Sequence, residues 1–511
     1  MKINQEINQE KNQEDLMIIN NLALGSITLL ALLSGCAGHA TRGLSSENND
    51  GLSSIIDQIG KASRTQTLTS QSCKTTYNEL YEKLFNLAGD TAYLDLNDTG
   101  KMDQDIRDSF NARIALKNSF KSFSPDNDCF KSASDVFRGL RYVEDYLIGL
   151  RMDRTQSGPA EYVNLKGEFP YLLVNPKYAE DFKSYEDLKS GDIILSRGNA
   201  FSSAAIARIG LNDYQFSHLS FVYKDPEKAE IMTTEAHIEI GSVAEPIESH
   251  LASKNSREVV FRYSDAAVAH TASKYIYTKV LAAQNTGHNI EYDFTMDFKD
   301  EHKLFCSEII SHGFKHALPD EDYFPMFKSK FSPGIIPFLN TIGVPANKEN
   351  IGSLEVFAPE DIQFDPRFEM VAEWRNPKKM EESRLKDFIL TKMFERMDQE
   401  SYVIDPSFKM SAETKTLWLL RRLPVVKKFL SNKFSLTMNI NQMELFMAID
   451  KIGDAVYKEV EKKSLEFERP MTPKEIYVVL DDFFKQDFDT YTRYKKGQDL
   501  MKPVFHQWFH P

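Results

Sequence analysis

Apolar positions recur three and four residues apart through the first third of the chain, as Tyr77, Leu80, Leu84 and Leu87 and again as Val136, Leu140, Val143 and Leu147. That period lines up one apolar stripe along a helix, so a helical N-terminal domain is predicted over 68–180, with its helices between about Leu68 and Arg154. The pattern then changes. In Phe216-Ser217-His218-Leu219-Ser220-Phe221-Val222 an alternating apolar run marks a strand, interrupted by His218. In Leu304-Phe305-Cys306-Ser307-Glu308-Ile309-Ile310 the cysteine opens an amphipathic helix, with Ile309, Ile310 and Phe314 at helical spacing and Glu308 in the first turn. Pro333 to Pro345 reads as a loop and Val356 to Pro366 as a connection. A mixed domain over 185–345 and a largely helical, charged C-terminal domain over 368–511 follow.

The strand histidine and the helix-opening cysteine suit the two halves of a thiol-imidazole pair. A helix N-terminus favours a thiolate, and a histidine within hydrogen-bond reach favours it further. Against this stands the ordinary use of a lone cysteine before Ile-Ile, which is core packing.

Six segments bear on that choice. They are Asp187-Leu188-Lys189-Ser190-Gly191-Asp192-Ile193-Ile194-Leu195, the helix-like Phe201 to Ile209, the strand around His218, Thr233-Thr234-Glu235-Ala236, Tyr292-Asp293-Phe294 and the helix at Cys306. In this order they resemble the permuted papain-like amidases of the NlpC superfamily, of the YiiX and YaeF type. The resemblance implies an α+β fold, a circularly permuted papain-like domain with an antiparallel sheet and packed helices, here flanked by helical N- and C-terminal domains. His218 precedes Cys306, the permuted order, and a triad depends on geometry and not on chain order. By the same resemblance Cys306 is the nucleophile, His218 the general base and later acid, and Glu235 the group that orients the imidazole. Glu235 also reads as a solvated carboxylate at a strand end, with His237 and Glu239 on its face at strand period.

Asp192 and Glu308 belong to the same motifs, yet a carboxylate after a glycine turn or in a first helical turn typically satisfies backbone N–H groups. Tyr292 and Asp293 line the cleft or stabilise a turn. The i, i+4 pair His312 and His316 lacks a third ligand, so no metal and no cofactor are expected. Asp95-Leu96-Asn97-Asp98-Thr99-Gly100 reads as a polar turn, because a calcium loop needs a carboxylate where Ile106 stands. Lys415 to Lys433 interleaves basic and apolar residues, a pattern that serves an anionic membrane surface or two helices packed near Pro424.

The apolar run Leu22 to Leu33 has the length of a signal-peptide core, shorter than the roughly 20 residues of a membrane span. It ends in Leu33-Ser34-Gly35-Cys36, which resembles the lipobox of bacterial lipoproteins. A signal peptide over 1–35 is therefore expected, with Cys36 lipidated and 36–67 as a flexible tether holding the protein to the envelope. The n-region departs from the usual pattern in carrying only Lys2 and Lys11 among several glutamates. Ala37-Gly38 shows no aspartate-type retention signal, which favours the outer membrane and the periplasmic side. Of the remaining cysteines, Cys73 and Cys129 are candidates for a disulfide in an oxidising compartment. A net charge of −13 argues against a nucleic-acid partner.

These features together predict an envelope cysteine hydrolase that cleaves amides through an acyl-enzyme. Its expected partners are cell-wall peptides or acyl lipids. An acyl-lipid hydrolase or acyltransferase on the same pair, and a noncatalytic binding module, are the alternatives.

Overall fold

The computed structural model describes residues 51–511 except 66–69, 89–97, 124–127, 153–162, 228–229, 298–299, 301, 320–326 and 424–433. Cys36 and the expected signal peptide lie outside the described residues, as do residues 95–97 of the polar turn and 424–433 of the basic stretch.

Leu52, Ile55, Ile56 and Ile59 fall at helical spacing and are all buried, which makes Leu52–Arg64 a helix, α1. The flexible tether expected over 36–67 is thus corrected at its C-terminal end, where an apolar stripe docks. Three longer helices follow, α2 at Ser70–Ala88, α3 at Thr99–Ser119 and α4 at Asp128–Arg151. Asp98 caps α3 by accepting from Lys101 N at 2.8 Å. Cys73 of α2 and Cys129 of α4 form a disulfide, with Cα atoms 5.4 Å apart.

Beyond these helices come β1 (Leu172–Val174), β2 (Ile193–Gly198), α5 (Phe201–Arg208), β3 (His218–Lys224), β4 (Ile231–His237) and β5 (Gly241–Pro246). They are followed by α6 (Ile247–Leu251), β6 (Asn255–Tyr263), α7 (Ala266–Asn285), α8 (Cys306–Ala317), β7 (Ser329–Lys330), α9 (Ile336–Ile342), β8 (Glu355–Val356) and β9 (Phe368–Arg375). Seven strands form one sheet in the order β1-β9-β6-β2-β3-β4-β5. Every neighbouring pair in it is antiparallel. Alternation divides the sheet between two cores. Ile193, Leu195, Leu219, Phe221, Val259 and Phe261 pack with Ile309, Ile310 and Phe314 of α8, while Ile194, Val222, Val260 and Trp374 face a second cluster.

Two expected boundaries move. β1 lies inside the segment assigned to the helical N-terminal domain, and β9 lies beyond the expected close of the mixed domain at 345. In β9 the buried Phe368, Met370, Val371, Ala372 and Trp374 share the strand with Glu369, Glu373 and Arg375, so its charges mask a core strand.

Glu373 and Arg375 are inside because of a buried ionic network, whereas Glu369 is half-buried and pairs with Lys177 and Tyr178. Arg113 of α3 forks onto Glu144 of α4 at 2.7 and 2.6 Å and also reaches Glu373 at 2.6 Å. Arg375 contacts Glu144 and Asp145, both at 2.7 Å, and Arg141 contacts Glu373 at 3.1 Å. Arg257 of β6 pairs with Asp145. The helical N-terminal region is thereby joined to the β6–β9 half of the sheet.

On the C-terminal side, α10 (Pro377–Glu400) packs on α5 and on α12 (Ile440–Ser464), and α13 (Pro473–Lys495) completes the helical layer. Between α10 and α12 lie the short β10 (Val403–Ile404) and α11 (Phe408–Leu420), and β11 (Phe509–His510) pairs with β10. No helix among the described residues is long and apolar enough to cross a membrane.

Candidate active site

His218 is the first residue of β3, opposite Ser196 of β2. Glu235 and His237 lie two apart on β4 and so project to the same face. Cys306 is the first residue of α8, whose start is anchored by Glu308 accepting from Phe305 N at 2.8 Å. The segment entering the helix is pinned by Leu304 N to Glu291 O at 3.0 Å and Asp293 N to Leu304 O at 3.3 Å. Burial pushes the Glu308 carboxyl up to about 9, against the opposing effect of the Phe305 N–H bond.

The three residues assigned from the sequence come together. His218 Nε2 lies 2.8 Å from Glu235 Oε2, and Cys306 lies near enough to the His218 ring to act on its titration. With Nε2 committed to Glu235, Nδ1 is the nitrogen left for the thiol. Burial disfavours the imidazolium, but the bonds to Cys306 and Glu235 outweigh it and lift His218 to about 9. Burial likewise opposes ionisation of Glu235, and the surrounding histidines overcome it, holding the carboxyl well below the usual range.

Two residues behind Glu235 had no signal in the sequence. His250 of α6 places Nδ1 3.0 Å from Glu235 Oε1 and Nε2 3.1 Å from Glu258 Oε1 of β6. Glu258 Oε1 also accepts from Asn164 at 3.0 Å and Asn255 at 2.7 Å. Burial opposes a charge on His250, yet the two carboxylates flanking it raise it well above the ordinary histidine value. A buried imidazolium thus clamps the rear oxygen of Glu235 and fixes the front oxygen toward His218.

His237 stacks on His218 with ring centroids 5.1 Å apart, and its Nε2 is 3.4 Å from Glu235 Oε2. Its side chain is 36% exposed. Loss of hydration, foremost, and the neighbouring imidazoles lower it to about 4, against the pull of Glu235. The ligand atoms of His218, Glu235 and His237 lie within 4.8 Å of one another, an arrangement that suits a metal ion. No such set was expected from the sequence, because the strand pairing of β3 with β4 creates it. Of the other histidine pair, His312 is buried and His316 is exposed and stacked on Tyr275 at 3.8 Å.

An open cleft of about 700 Å³ leads to Cys306, His218 and Tyr292, and its walls include Asn199, Ser203 and Asn255. Ser217 borders it with a buried hydroxyl that lacks a partner in the structure. Asp293 instead builds a turn, accepting from Thr295 N at 2.8 Å and Asp297 N at 3.0 Å. Asp192 is structural as well, bound by both arms of Arg262 at 2.7 Å.

Residues 187–392 match the model of a family described as permuted papain-like amidase enzymes, YaeF/YiiX, C92 family. The match begins at the turn before β2 and runs into α10, so it covers the strands and helices that carry Cys306, His218 and Glu235. A crystal structure described as the metalloprotein YiiX from Escherichia coli O157:H7 is 19% identical over 37% of this chain and 98% of its own, with a TM-score of 0.27. A comparison with curated proteins found no match. The matched segment is similar to a permuted papain-like amidase domain.

Proposed function

We propose that the protein is a cysteine amidase in which Cys306 is the nucleophile, His218 the proton carrier and Glu235 the orienting carboxylate. The observation that carries this reading is the convergence of Cys306, at the head of α8, with His218 and its 2.8 Å bond to Glu235 on one open cleft. The thiolate adds to the amide carbonyl, forming a C–S bond, and the oxyanion develops beside the N–H of Cys306 at the helix start. His218 imidazolium gives its proton to the leaving nitrogen as the C–N bond breaks. Water then adds to the thioester while His218 takes its proton, and the acid product leaves with the thiol restored.

The cleft wall carries Ser202, Ser203 and Lys254, which offer hydrogen bonds to a peptide-like acyl group. Cell-wall peptides are the substrate class that we assign. Tethering to the envelope through lipidated Cys36 belongs to the same proposal and rests on Leu33-Ser34-Gly35-Cys36. The test is hydrolysis of peptide amides against long-chain acyl esters by the purified chain, with intact-mass detection of an adduct on Cys306. Peptide amides cleaved faster, with a transient adduct, support the reading. Hydrolysis confined to acyl esters replaces the substrate class, and absence of both adduct and turnover leaves a binding module.

Two further results are expected. His218 must be protonated to release the leaving group, and its raised value keeps it so well above the ordinary histidine range. kcat/KM should therefore hold through neutral pH and fall as pH rises through about 9. A descending limb near pH ~6.5, the ordinary histidine value, would contradict the geometry. Replacing His250 by Gln removes the clamp on Glu235 and should lower kcat by about 10- to 100-fold, the range found when the partner orienting a site residue is lost. Steady-state kinetics at neutral pH checks this, with circular dichroism to confirm folding.

A further inference from the structure

One end of the cleft gathers positive charge and uncommitted hydrogen-bond donors. The chain leaves β2 through Gly198 and Asn199 to enter α5, and Gly198 stands opposite Asn255 in the β2–β6 register. A Cβ at Gly198 would fall 2.8 Å from Ser203 Oγ and 3.8 Å from Asn255 Oδ1, so the glycine lets the start of α5 close on Ser253-Lys254-Asn255. Ala200 is the N-cap of α5 and supplies no side-chain cap. The first-turn N–H groups of Ser202 and Ser203 are left without an intrahelical acceptor, and both residues line the cleft. Lys254 lines it as well, and its ammonium has no carboxylate partner among the described residues. The start of α10 backs this rim: Asn376 N donates to Ser256 O at 2.9 Å, Ser383 Oγ to Asn199 Oδ1 at 3.1 Å and Lys386 Nζ to Asn199 O at 2.7 Å. Lys379, in the first turn of α10, adds a further charge. Burial foremost lowers it, Glu258 and Glu382 oppose that, and the nearby Lys254 adds to the lowering. Glu258 and Glu382 are themselves committed, the first facing His250 at 3.1 Å and the second accepting from Asn199.

We infer that this end of the cleft is an anion subsite that takes a carboxylate of the peptide substrate, with Lys254 as the residue that selects it. The inference rests on the amidase reading for the bound molecule being a substrate, though not for the binding itself. A lysine on a rim is a point charge on a flexible stem, and a helix start presents free N–H groups and the positive end of its dipole. Ser253, next to Lys254, and Ser217, which is 2% exposed, each bring to the same cleft a buried hydroxyl without a partner among the described residues. Buried hydroxyls ordinarily have a partner, and a bound carboxylate supplies an acceptor. Negative charge on the wall lies elsewhere: apart from Glu235, the one acid that lines the cleft is Glu239, on the turn between β4 and β5. A peptide that carries a carboxylate is thus drawn with that group toward Lys254 and away from Glu239, which sets the direction in which it lies across Cys306. Its carboxamide analogue has the same shape and lacks the charge.

The experiment follows iodoacetamide labelling of Cys306 in the full chain at pH ~7.5 by intact mass, with acetyl-Ala-Glu or its diamide, acetyl-Ala-Gln amide, added as a protecting peptide. Wild type should be half-protected by the dicarboxylate at a concentration about tenfold or more below that of the diamide, the size of one charge-assisted hydrogen bond. The net charge of −13 works against that preference anywhere else on the chain. Lys254→Ala should bring the two concentrations within about threefold, and Lys254→Arg should restore most of the gap because it keeps the charge. Lys254 is exposed, so neither change threatens the fold. A gap that persists in Lys254→Ala overturns the inference, by placing the carboxylate on another cation such as the His218 imidazolium. Equal protection by the two peptides in wild type, or none by either, overturns it as well. Inorganic phosphate that protects at lower concentration than the dicarboxylate, and loses the effect in Lys254→Ala, replaces the peptide carboxylate by a phosphate group. No turnover is read, so absent hydrolysis with the protection gap intact removes the amidase reading alone, and hydrolysis without the gap removes the subsite alone.

Discussion

Cys306→Ala is expected to reduce kcat/KM by about 10⁴-fold or more while the protein remains folded. The magnitude follows from the way a nucleophile and its base act as a unit. Without the thiolate no acyl-enzyme forms, and His218 and Glu235 have nothing to activate. His218→Ala should cost about as much, because the same unit is broken at its other member. The two variants differ in a second measurement. Cys306→Ala removes the site of iodoacetamide labelling altogether, whereas His218→Ala keeps the thiol and should slow its labelling near pH ~6.5, where an imidazolium would otherwise stabilise the thiolate. Cys306 is 3% exposed, so its replacement by Ala removes one buried sulfur. That loss ordinarily falls within the 0.5–3 kcal/mol range of single substitutions, roughly, and leaves most domains folded. Retention of activity within tenfold in Cys306→Ala would remove the cysteine mechanism, since no other cysteine in the described residues is free.

What could be read from the chain divides according to the distance over which the signal acts. The helix at Cys306 and the strand at His218 were legible because each is written in a few adjacent residues, by apolar period and by the polar residue that breaks it. Cys73 and Cys129 were legible as a pair by count, and the structure brings their backbones to bridging distance. β9 was not legible as a sheet strand, because Glu369, Glu373 and Arg375 make it look solvated, and the arginines of α3, α4 and β6 around Glu373 explain why charge is tolerated in its buried part. His250 was passed over for the same reason: a histidine in a five-residue helix carries no pattern, and its meaning comes from Glu235 and Glu258 on two separate strands. The convergence of His218 and His237 on Glu235 likewise depends on strand pairing, which local spacing does not reveal.

Glu373→Ala should be the most destabilising single change in the sheet, lowering unfolding free energy by about 3–5 kcal/mol, the usual result of removing one partner from a buried ion pair. Glu373 is fully buried and contacts Arg113 at 2.6 Å, Arg375 at 2.7 Å and Arg141 at 3.1 Å. Burial alone would raise its carboxyl, but these arginines prevail and hold it well below the usual carboxylate range. Truncation therefore leaves several guanidinium groups in the interior with fewer counter-charges, while Glu144 and Asp145 remain to neutralise part of the cluster. Glu373→Gln keeps the shape and should be milder than Ala, though it loses the same charge. The depressed value also fixes a pH dependence. Its stabilisation is fully present above the ordinary carboxylate range near pH ~4.5 and is lost as pH falls toward the lower folded-state value. Urea unfolding at pH ~7 and again at pH ~3 tests both points: the gap between wild type and Glu373→Ala should be wide at the first and narrower at the second. A gap below about 1 kcal/mol at pH ~7 would mean that the remaining carboxylates suffice, a size typical of an exposed ion pair. Because β9 pairs with β6, opposing Trp374 to Glu258, loosening the network should also reach the clamp behind Glu235. A folded Glu373→Ala protein is therefore expected to lose activity on warming before its global transition, as β6 gives way ahead of the rest of the sheet.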